Sequence, residues 1–174
     1  MPGRRIVLVI APERFRDEEL AEPRAALERA GHAVVVAATK TGIATGMLGA
    51  KERVSVSIAD VRPDDIDLLA IIGGAGSPDH LWDHEPLKRL VAAVYAAGKP
   101  VGAICLSPPV LARAGVLAGK RATTYPAERA IAELKRGGAE YVRQPVVEDG
   151  IIVTASGPEA AAAFGQALIT RLGT

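Results

Sequence analysis

Short apolar runs rich in Val, Ile, Leu and Ala alternate along the chain with longer stretches whose apolar residues recur at helical spacing. Unbroken apolar runs of this length are typical of strands buried on both faces of a parallel sheet. Four such runs span residues 6–10, 33–38, 68–72 and 100–104. A helix is predicted to begin at Glu18 and to end before Gly31, with Pro23 bending or shortening it, so the first unit is βαβ.

The same alternation continues to the end of the chain. Helices are predicted over residues 87–97, 108–114, 127–136 and 159–172, and strands over 121–124, 146–147 and 151–154. Asp149-Gly150 is a strong signal for a hairpin turn between the last two strands. Glycines and alternating apolar residues over 39–58 predict a small β excursion facing solvent. The pattern predicts an α/β three-layer sandwich, a doubly wound, mostly parallel sheet with helices on both faces.

Length and charge narrow the possible partners. With 174 residues the chain fits one domain, 1–174. Its 21 basic and 20 acidic residues leave a net charge of +1, which argues against a surface for nucleic acid. No apolar run approaches the ~18–20 residues that span a bilayer, and no signal-peptide pattern precedes the first strand. We therefore expect a cytoplasmic protein with no membrane partner.

A glycine cluster follows the third buried run. Gly73, Gly74 and Gly76 flank Ala75 at a strand's carboxyl end, where parallel sheets bind their ligands. Bare backbone N–H groups there suit an anion cradle or an oxyanion hole. The cluster matches neither a P-loop nor a dinucleotide fingerprint. A tight turn that merely needs glycine explains it equally well.

The only cysteine, Cys105, follows the fourth buried run and excludes any disulfide within the chain. Pro108 suits the first position of a helix, so the thiol is predicted to lie on a sharp strand-to-helix turn, like a nucleophile elbow. The positive end of that helix is expected to lower the thiol pKa. The alternative is a buried structural cysteine that behaves as a small hydrophobe.

Resemblance to a known family bears on this choice. The segment Ala103-Ile104-Cys105 with Pro108 resembles the nucleophile segment of the PfpI/ThiJ family, which includes intracellular-protease-like proteins, glyoxalases and the Parkinsonism-associated deglycase. Other matching blocks are Phe15-x-Asp17-x-Glu19-Leu20-x-x-Pro23, Gly31-His32-x-Val34, Gly73-Gly74, Gly98-Lys99-Pro100-Val101, Ala114-Gly115-Val116-Leu117-x-Gly119-Lys120, Thr123-x-Tyr125-Pro126 and Asp149-Gly150. The resemblance covers nearly the whole chain and implies a flavodoxin-like fold, related to class I glutamine amidotransferases.

The resemblance also implies roles for individual residues. Cys105 matches the family's reactive cysteine, Glu19 the glutamate that reaches it, and Gly74 and Leu106 the positions whose N–H groups form an oxyanion hole. A carboxylate beside a thiolate has its pKa raised, so Glu19 is expected to be largely protonated. Without the resemblance, Glu19 reads as a surface carboxylate in an acidic first helical turn. Further residues expected at the pocket are Gly73, Tyr125 and His80.

This sequence departs from the family at two positions. Leu106 and Tyr125 stand where many relatives carry histidine, and no histidine follows His84. The chain order therefore excludes an amidotransferase triad, and a peptidase lacks the positioned base that a thiol normally needs. Cysteine and glutamate alone suffice for addition of a thiolate to an aldehyde and for proton shuttling that converts a 2-oxoaldehyde into a 2-hydroxy acid.

His80 and His84 have the spacing of a metal-binding pair on one helix. Pro86 places a helix boundary beside them, and their acidic neighbours resemble helix-start residues, so we expect no metal. His80 is a further candidate, less favoured than Glu19, for the base that the family's histidine would supply. Trp82, the only tryptophan, is expected to line a pocket or to be buried in a subunit contact.

Three functions are weighed. The first is a cofactor-free, cysteine-dependent enzyme of the glyoxalase or deglycase type acting on small carbonyl compounds. The second is a non-catalytic redox-sensing or stress-response protein in which Cys105 is oxidised. The third, a cysteine peptidase, is disfavoured by Leu106. The resemblance further implies a homodimer or larger homo-oligomer.

Overall fold

A seven-stranded sheet forms the middle layer of the computed structural model, which describes residues 3–173. The strands are β1 (Arg5–Val9), β2 (Glu13–Phe15), β3 (Ala33–Ala38), β4 (Gly42–Gly46), β5 (Lys51–Val54), β6 (Val56–Ser57), β7 (Leu68–Ile71), β8 (Val101–Ile104), β9 (Arg121–Ala122), β10 (Glu140–Tyr141), β11 (Val146–Asp149) and β12 (Ile152–Ala155). The helices are α1 (Asp17–Arg29), α2 (Ser77–His80), α3 (Glu85–Ala96), α4 (Pro108–Arg113), α5 (Glu128–Arg136) and α6 (Ala161–Leu172). Short 3-10 turns span Ile58–Asp60, Pro63–Asp65 and Pro158–Ala160.

The sheet is doubly wound and almost entirely parallel. Its order is β11-β12-β8-β7-β1-β3-β6, and only β11 runs antiparallel to its neighbour. From β1 the chain first moves outward to β3 and then returns to β7 on the other side of β1. This reversal opens a crevice at the carboxyl ends of the central strands, where ligand sites of such sheets lie.

Alternating side chains of the central strands supply two hydrophobic cores. In β1 and the residue after it, Ile6, Leu8 and Ile10 face the core covered by α1 and α6. Val7 and Val9 face the opposite core, beneath α3, α4 and α5. Because both faces are covered, the central strands need apolar residues at every position, which explains the unbroken runs in the sequence.

The predicted fold class is confirmed, and the elements agree to within a few residues. The predicted β excursion is the hairpin of β4 and β5, although it buries Ala44 and Val54 rather than facing solvent throughout. The turn at Asp149-Gly150 joins β11 to β12 as predicted. The sequence pattern missed β2 and β10, since strands of two or three residues carry too little periodicity to detect.

Pro23 does not shorten the first helix, contrary to one of the two outcomes predicted for it. It is buried within α1, which continues to Arg29. Across from it, Gly165 of α6 presents no side chain, and a Cβ there would lie 3.0 Å from the Cα of Pro23. Close packing of α1 against α6 therefore supplies the tertiary contacts that keep the helix continuous at a residue unable to donate a backbone hydrogen bond.

The single domain 1–174 stays a prediction, and its residues 1, 2 and 174 lie outside the described residues. Within 3–173, every helix is too short or too polar to cross a membrane.

Candidate active site

Cys105 lies immediately after β8 in a conformation that few residues other than glycine adopt. Its φ angle is +63°, and the left-handed region costs an L-residue roughly 1–2 kcal/mol. The side chain is 6% exposed. A strained, nearly buried residue of this kind persists only where the surrounding structure holds it in place.

Three hydrogen bonds hold the backbone of Cys105. Its N–H donates to the Ala155 carbonyl at 2.9 Å, and its carbonyl accepts from the Thr124 hydroxyl at 2.7 Å and the Tyr125 N–H at 2.8 Å. The last two bonds orient the peptide plane between Cys105 and Leu106. They therefore set the direction of the Leu106 N–H, which points to the sulfur of Cys105.

We expect Thr124→Val to weaken this arrangement while preserving the shape of the side chain. The loss of one donor to the Cys105 carbonyl should lower the free energy of unfolding by about 1 kcal/mol, and a less firmly oriented Leu106 N–H should slow alkylation of Cys105 by iodoacetamide. Urea unfolding and mass spectrometry measure the two effects. Thr124→Ser, which keeps the hydroxyl, serves as the matched control. Equal alkylation rates in all three proteins would contradict the assigned role.

A pair of buried hydroxyls joins the cysteine turn to the glycine loop. Ser107 Oγ donates to the Ile72 carbonyl at 2.7 Å, so it accepts from Ser77 Oγ at 2.9 Å. Both serines are fully buried. Because the carboxyl ends of β7 and β8 are adjacent, these bonds fix the distance between the two loops that meet at the thiol.

Trp82 is hydrogen-bonded to the backbone of the turn that carries Cys105. Its indole N–H donates to the Leu106 carbonyl at 2.7 Å, and it is 1% exposed. Arg113 and Arg129 lie over the ring at 5.3 and 4.7 Å from its centroid. Trp82 does not line the cavity at Cys105, so that expectation is wrong: the ring is covered within its own chain, where its N–H finds a buried partner.

Gly73 and Gly74, which follow β7, lie so close to neighbouring atoms that neither position has room for a side chain. A Cβ on Gly73 would lie 2.4 Å from the Cβ of Cys105 and 2.6 Å from Oε1 of Glu19. Gly74 has a φ of +118°, and a Cβ there would lie 2.5 Å from backbone atoms of Arg14 and Arg16. The Gly74 N–H lies close enough to the Cys105 sulfur to lower the pKa of the thiol. The cluster is therefore more than a tight turn, since it brings bare backbone against the thiol.

Glu19 is fully buried in the first turn of α1, so the interpretation as a surface carboxylate is wrong. Its Oε1 accepts from the Gly73 N–H at 2.9 Å, while Oε2 is buried with no hydrogen-bond partner in the described part of the chain. Burial raises the pKa of the carboxyl to about 7, against the opposing effects of the nearby thiol and the Gly73 N–H. The direction agrees with the sequence prediction, although burial rather than a neighbouring negative charge is its main cause.

The pKa of the Cys105 thiol is raised, whereas the sequence predicted a lowered one. Burial is the largest cause and the charge of Glu19 the second; the N–H groups of Gly74 and Leu106 oppose them. The end of α4, a helix of six residues, does not offset removal of the sulfur from water. Above about pH 7 the pair therefore consists of a thiol beside a carboxylate.

A cavity of about 680 Å³ opens over the thiol. Its lining residues are Arg16, Met47, Gly74, Ala75, Cys105, Leu106, Thr123, Thr124, Tyr125, Pro126, Tyr141, Arg143, Gln144, Pro145, Ser156, Gly157, Pro158 and Glu159. Gly74, Cys105, Leu106 and Tyr125 were predicted at this site. Gly73 lies behind the thiol rather than in the cavity wall, because its Cα faces the Cβ of Cys105.

His80 does not line the cavity, and its predicted position there is wrong. His80 is the last residue of the short helix α2, and its Nε2 lies 3.4 Å from a carboxylate oxygen of Glu13, which is exposed. None of the lining residues is a histidine. Within 3–173, no three His, Cys, Asp or Glu side chains are grouped so that they could hold a metal ion.

Sequence reasoning missed most of the cavity wall. Arg16, Tyr141, Arg143 and Glu159 come from segments far apart in the chain, which meet only because β9 and β10 pair and the chain after β12 returns across the sheet edge. No spacing in the sequence signals such a juxtaposition. Only Thr123 and Pro126 belonged to a block already noted beside Tyr125.

The chain is similar to known proteins both in sequence and in structure. The model of the DJ-1/PfpI family matches residues 4–171. An uncharacterized protein of Methanocaldococcus jannaschii is 50% identical over 165 residues, covering 95% of this chain and 80% of the relative. A protein of Pyrococcus abyssi named a deglycase is 35% identical over 152 residues, covering 87% and 90%. The crystal structure of a ThiJ/PfpI domain protein from Brachyspira murdochii superposes with a TM-score of 0.93 at 28% identity, covering 99% and 98%.

Proposed function

The chain belongs to the DJ-1/PfpI family, and we propose that it is a cysteine-dependent enzyme of the deglycase or glyoxalase type, which acts on small reactive carbonyl compounds without a cofactor. Relatives from Pyrococcus that are 32–35% identical are named deglycases, which supports a deglycase-type activity in general. Cys105 is the nucleophile in this proposal, and Glu19 is the acid and base.

One observation carries the proposal. The only thiol of the chain lies at the base of a cavity beside a fully buried carboxyl group and two backbone N–H groups, those of Gly74 and Leu106. Burial of an ionisable carboxyl is costly, and Oε2 of Glu19 has no hydrogen-bond partner among residues 3–173. Carboxyl groups kept in such surroundings cluster at functional sites.

In the first step, sulfur adds to the aldehyde carbon. Because the thiol pKa is raised, the Glu19 carboxylate takes the S–H proton as the C–S bond forms. The carbonyl π electrons move to oxygen, whose negative charge the N–H groups of Gly74 and Leu106 stabilise. Glu19 then passes the proton it took from sulfur to that oxygen, which gives a hemithioacetal, regenerates the carboxylate and leaves the C–H bond of the former aldehyde within its reach.

In the second step, Glu19 moves a proton from the hemithioacetal carbon to the neighbouring carbonyl carbon through an enediol, while the hydroxyl proton of the first carbon passes to the neighbouring oxygen. The product is a thioester of a 2-hydroxy acid on Cys105. Water then cleaves the C–S bond and returns the proton to sulfur. For methylglyoxal the sum is addition of one water molecule to give lactate, with no net oxidation or reduction and no external reductant.

A pH profile of methylglyoxal consumption tests this proposal. The base form of Glu19 is required, and its pKa is about 7, so kcat/KM should rise as pH increases from 5 to 8 and then level off. Methylglyoxal loss and lactate formation are followed together with purified protein. Loss without lactate, or a rate no greater than that of heat-denatured protein, would contradict the proposal.

Peptide hydrolysis fits the cavity less well. A thiol with a raised pKa needs a base that can also protonate a leaving amine, and histidine usually fills that role. Leu106 and Tyr125 occupy the cavity where relatives carry histidine, and His80 faces outward.

A further inference from the structure

We propose that the cavity wall formed at the carboxyl ends of β9 and β10 is a subsite for an anionic group, so that the protein prefers carbonyl substrates that carry a carboxylate. We call this wall the β9–β10 subsite; its residues are Thr123, Tyr141, Arg143 and Gln144. The inference rests on the proposed function for the reacting aldehyde and extends it to the remainder of the substrate.

The size of the cavity is the first reason. A volume of about 680 Å³ lies within the range of sites that enclose drug-sized ligands. A three-carbon 2-oxoaldehyde fills only the portion over Cys105. The remaining volume is available to a second part of the substrate, and the wall that faces it indicates its chemistry.

The charges of the wall are the second reason. Arg16 lies near the thiol and is neutralised by a two-point pairing with Glu18, at 2.8 and 2.9 Å. The side chain of Arg143 makes no ion pair or hydrogen bond with any described residue, although it lines the cavity. A guanidinium with free donors binds a carboxylate through two parallel hydrogen bonds.

Neutral donors beside Arg143 are the third reason. The Thr123 hydroxyl is fully buried and has no hydrogen-bond partner among residues 3–173. Its backbone N–H is held by Thr154 Oγ1 at 2.9 Å, so the residue cannot simply turn toward solvent. The parallel pairing of Ala122 with Tyr141 brings Thr123 alongside the segment that carries Arg143. The Thr123 hydroxyl and the Arg143 guanidinium can both donate to a carboxylate, which only accepts hydrogen bonds.

Glu159 is the opposing charge. It also lines the cavity, and no ion pair joins it to Arg143 or Arg16. It therefore neutralises neither arginine, but it weakens the attraction of the wall for an anion. Replacing Glu159 with glutamine should accordingly strengthen the preference for a carboxylate.

Matched substrates test the subsite. The probe is 4,5-dioxopentanoate, a 2-oxoaldehyde with a carboxylate, which gains one water molecule to give 2-hydroxyglutarate; its methyl ester is the uncharged control. We expect kcat/KM for the acid to exceed that for the ester by about tenfold at low salt, and the excess to shrink as salt is added. Arg143→Ala should bring the ratio of kcat/KM for the acid to kcat/KM for the ester down to about one, and Arg143→Lys should retain part of the excess. Arg89→Ala, on α3 outside this cavity, is the control for loss of a surface arginine.

A binding measurement keeps the subsite testable apart from catalysis. 2-Hydroxyglutarate should protect Cys105 of the wild type, but not of Arg143→Ala, from iodoacetamide; its dimethyl ester should protect neither. Methylglyoxal turnover with equal rates for acid and ester overturns the subsite and leaves the proposed function intact. Absence of all turnover overturns the proposed function, and the protection experiment then decides the subsite alone.

Discussion

The Cys105→Ala protein is expected to lose methylglyoxal turnover by about 10³-fold or more, because no other residue supplies a sulfur nucleophile. Alanine tolerates the backbone angle of +63° no better than cysteine does, so the turn keeps its strain and its three backbone hydrogen bonds. Lactate formation from methylglyoxal, measured at pH 8 with wild type and variant at equal concentration, checks the loss.

Chemical blocking of the wild type provides the matched control. Cys105 is the only cysteine, so iodoacetamide labels one site, and the labelled protein should be as inactive as the alanine variant. Circular dichroism and thermal unfolding verify that both remain folded. Retention of most of the activity in either protein would exclude Cys105 as the nucleophile. A wild type that consumes no methylglyoxal but gains two oxygens at Cys105 in mild peroxide would favour the redox-sensing alternative.

Glu19→Gln is expected to separate catalysis from stability. The amide keeps an oxygen for the Gly73 N–H but cannot take a proton, so kcat/KM should fall by about 10²–10⁴-fold, and the rise with pH near 7 should disappear. Lactate formation between pH 5 and 9 measures both effects. An unchanged pH profile in the glutamine variant would show that another group titrates.

The contribution of Glu19 to wild-type stability should fall as pH rises, whereas the activity rises, and Glu19→Gln should remove both effects. The carboxyl has a pKa of about 7 when folded and 4.5 when unfolded, so between these values the native state binds more protons. The contribution of Glu19 to wild-type stability is therefore fully present below pH 4.5, and about 3 kcal/mol of it is lost as pH rises through 7. Glutamine carries no charge, and this component of the decline should be absent. Urea unfolding at pH 5 and 8 compares the two proteins.

Glu22→Gln is the control for removing a carboxyl from α1. Glu22 is exposed on the same helix, three residues further along, and does not line the cavity. Its replacement should leave both the pH dependence of unfolding and methylglyoxal turnover as in the wild type. Equal flattening of the stability profile in both variants would mean that Glu19 is not the group responsible.

The apolar pattern was sufficient to predict the architecture. Strands buried on both faces must be apolar at consecutive positions, and helices covering them must be apolar on one side, so both leave local signals in the sequence. The turn at Asp149-Gly150 and the helix boundary at Pro86 are local in the same sense. The errors fall on short strands such as β10, which form only because a neighbouring segment pairs with them.

For the candidate active site too, the sequence predicted the local features and not those that depend on the fold. Position in the sequence identified Cys105 at a strand end and, through the family resemblance, Glu19 and Gly74. The protonation of the thiol was predicted incorrectly because a pKa depends on how much water the fold removes, and burial here outweighs the short helix α4. The oligomeric state stays a prediction.

The layers of the fold and the strand end that carries the thiol follow from local sequence, because backbone conformation and the period of buried positions are set among near neighbours. The surroundings of that thiol depend on the fold: the buried carboxyl of Glu19, the supporting bond from Thr124, and Arg143 in the cavity wall, whose side chain pairs with no residue of 3–173. These groups come from separate segments that converge at the sheet edge. Their charges and hydrogen bonds are set by distance in space, which separation along the chain does not specify.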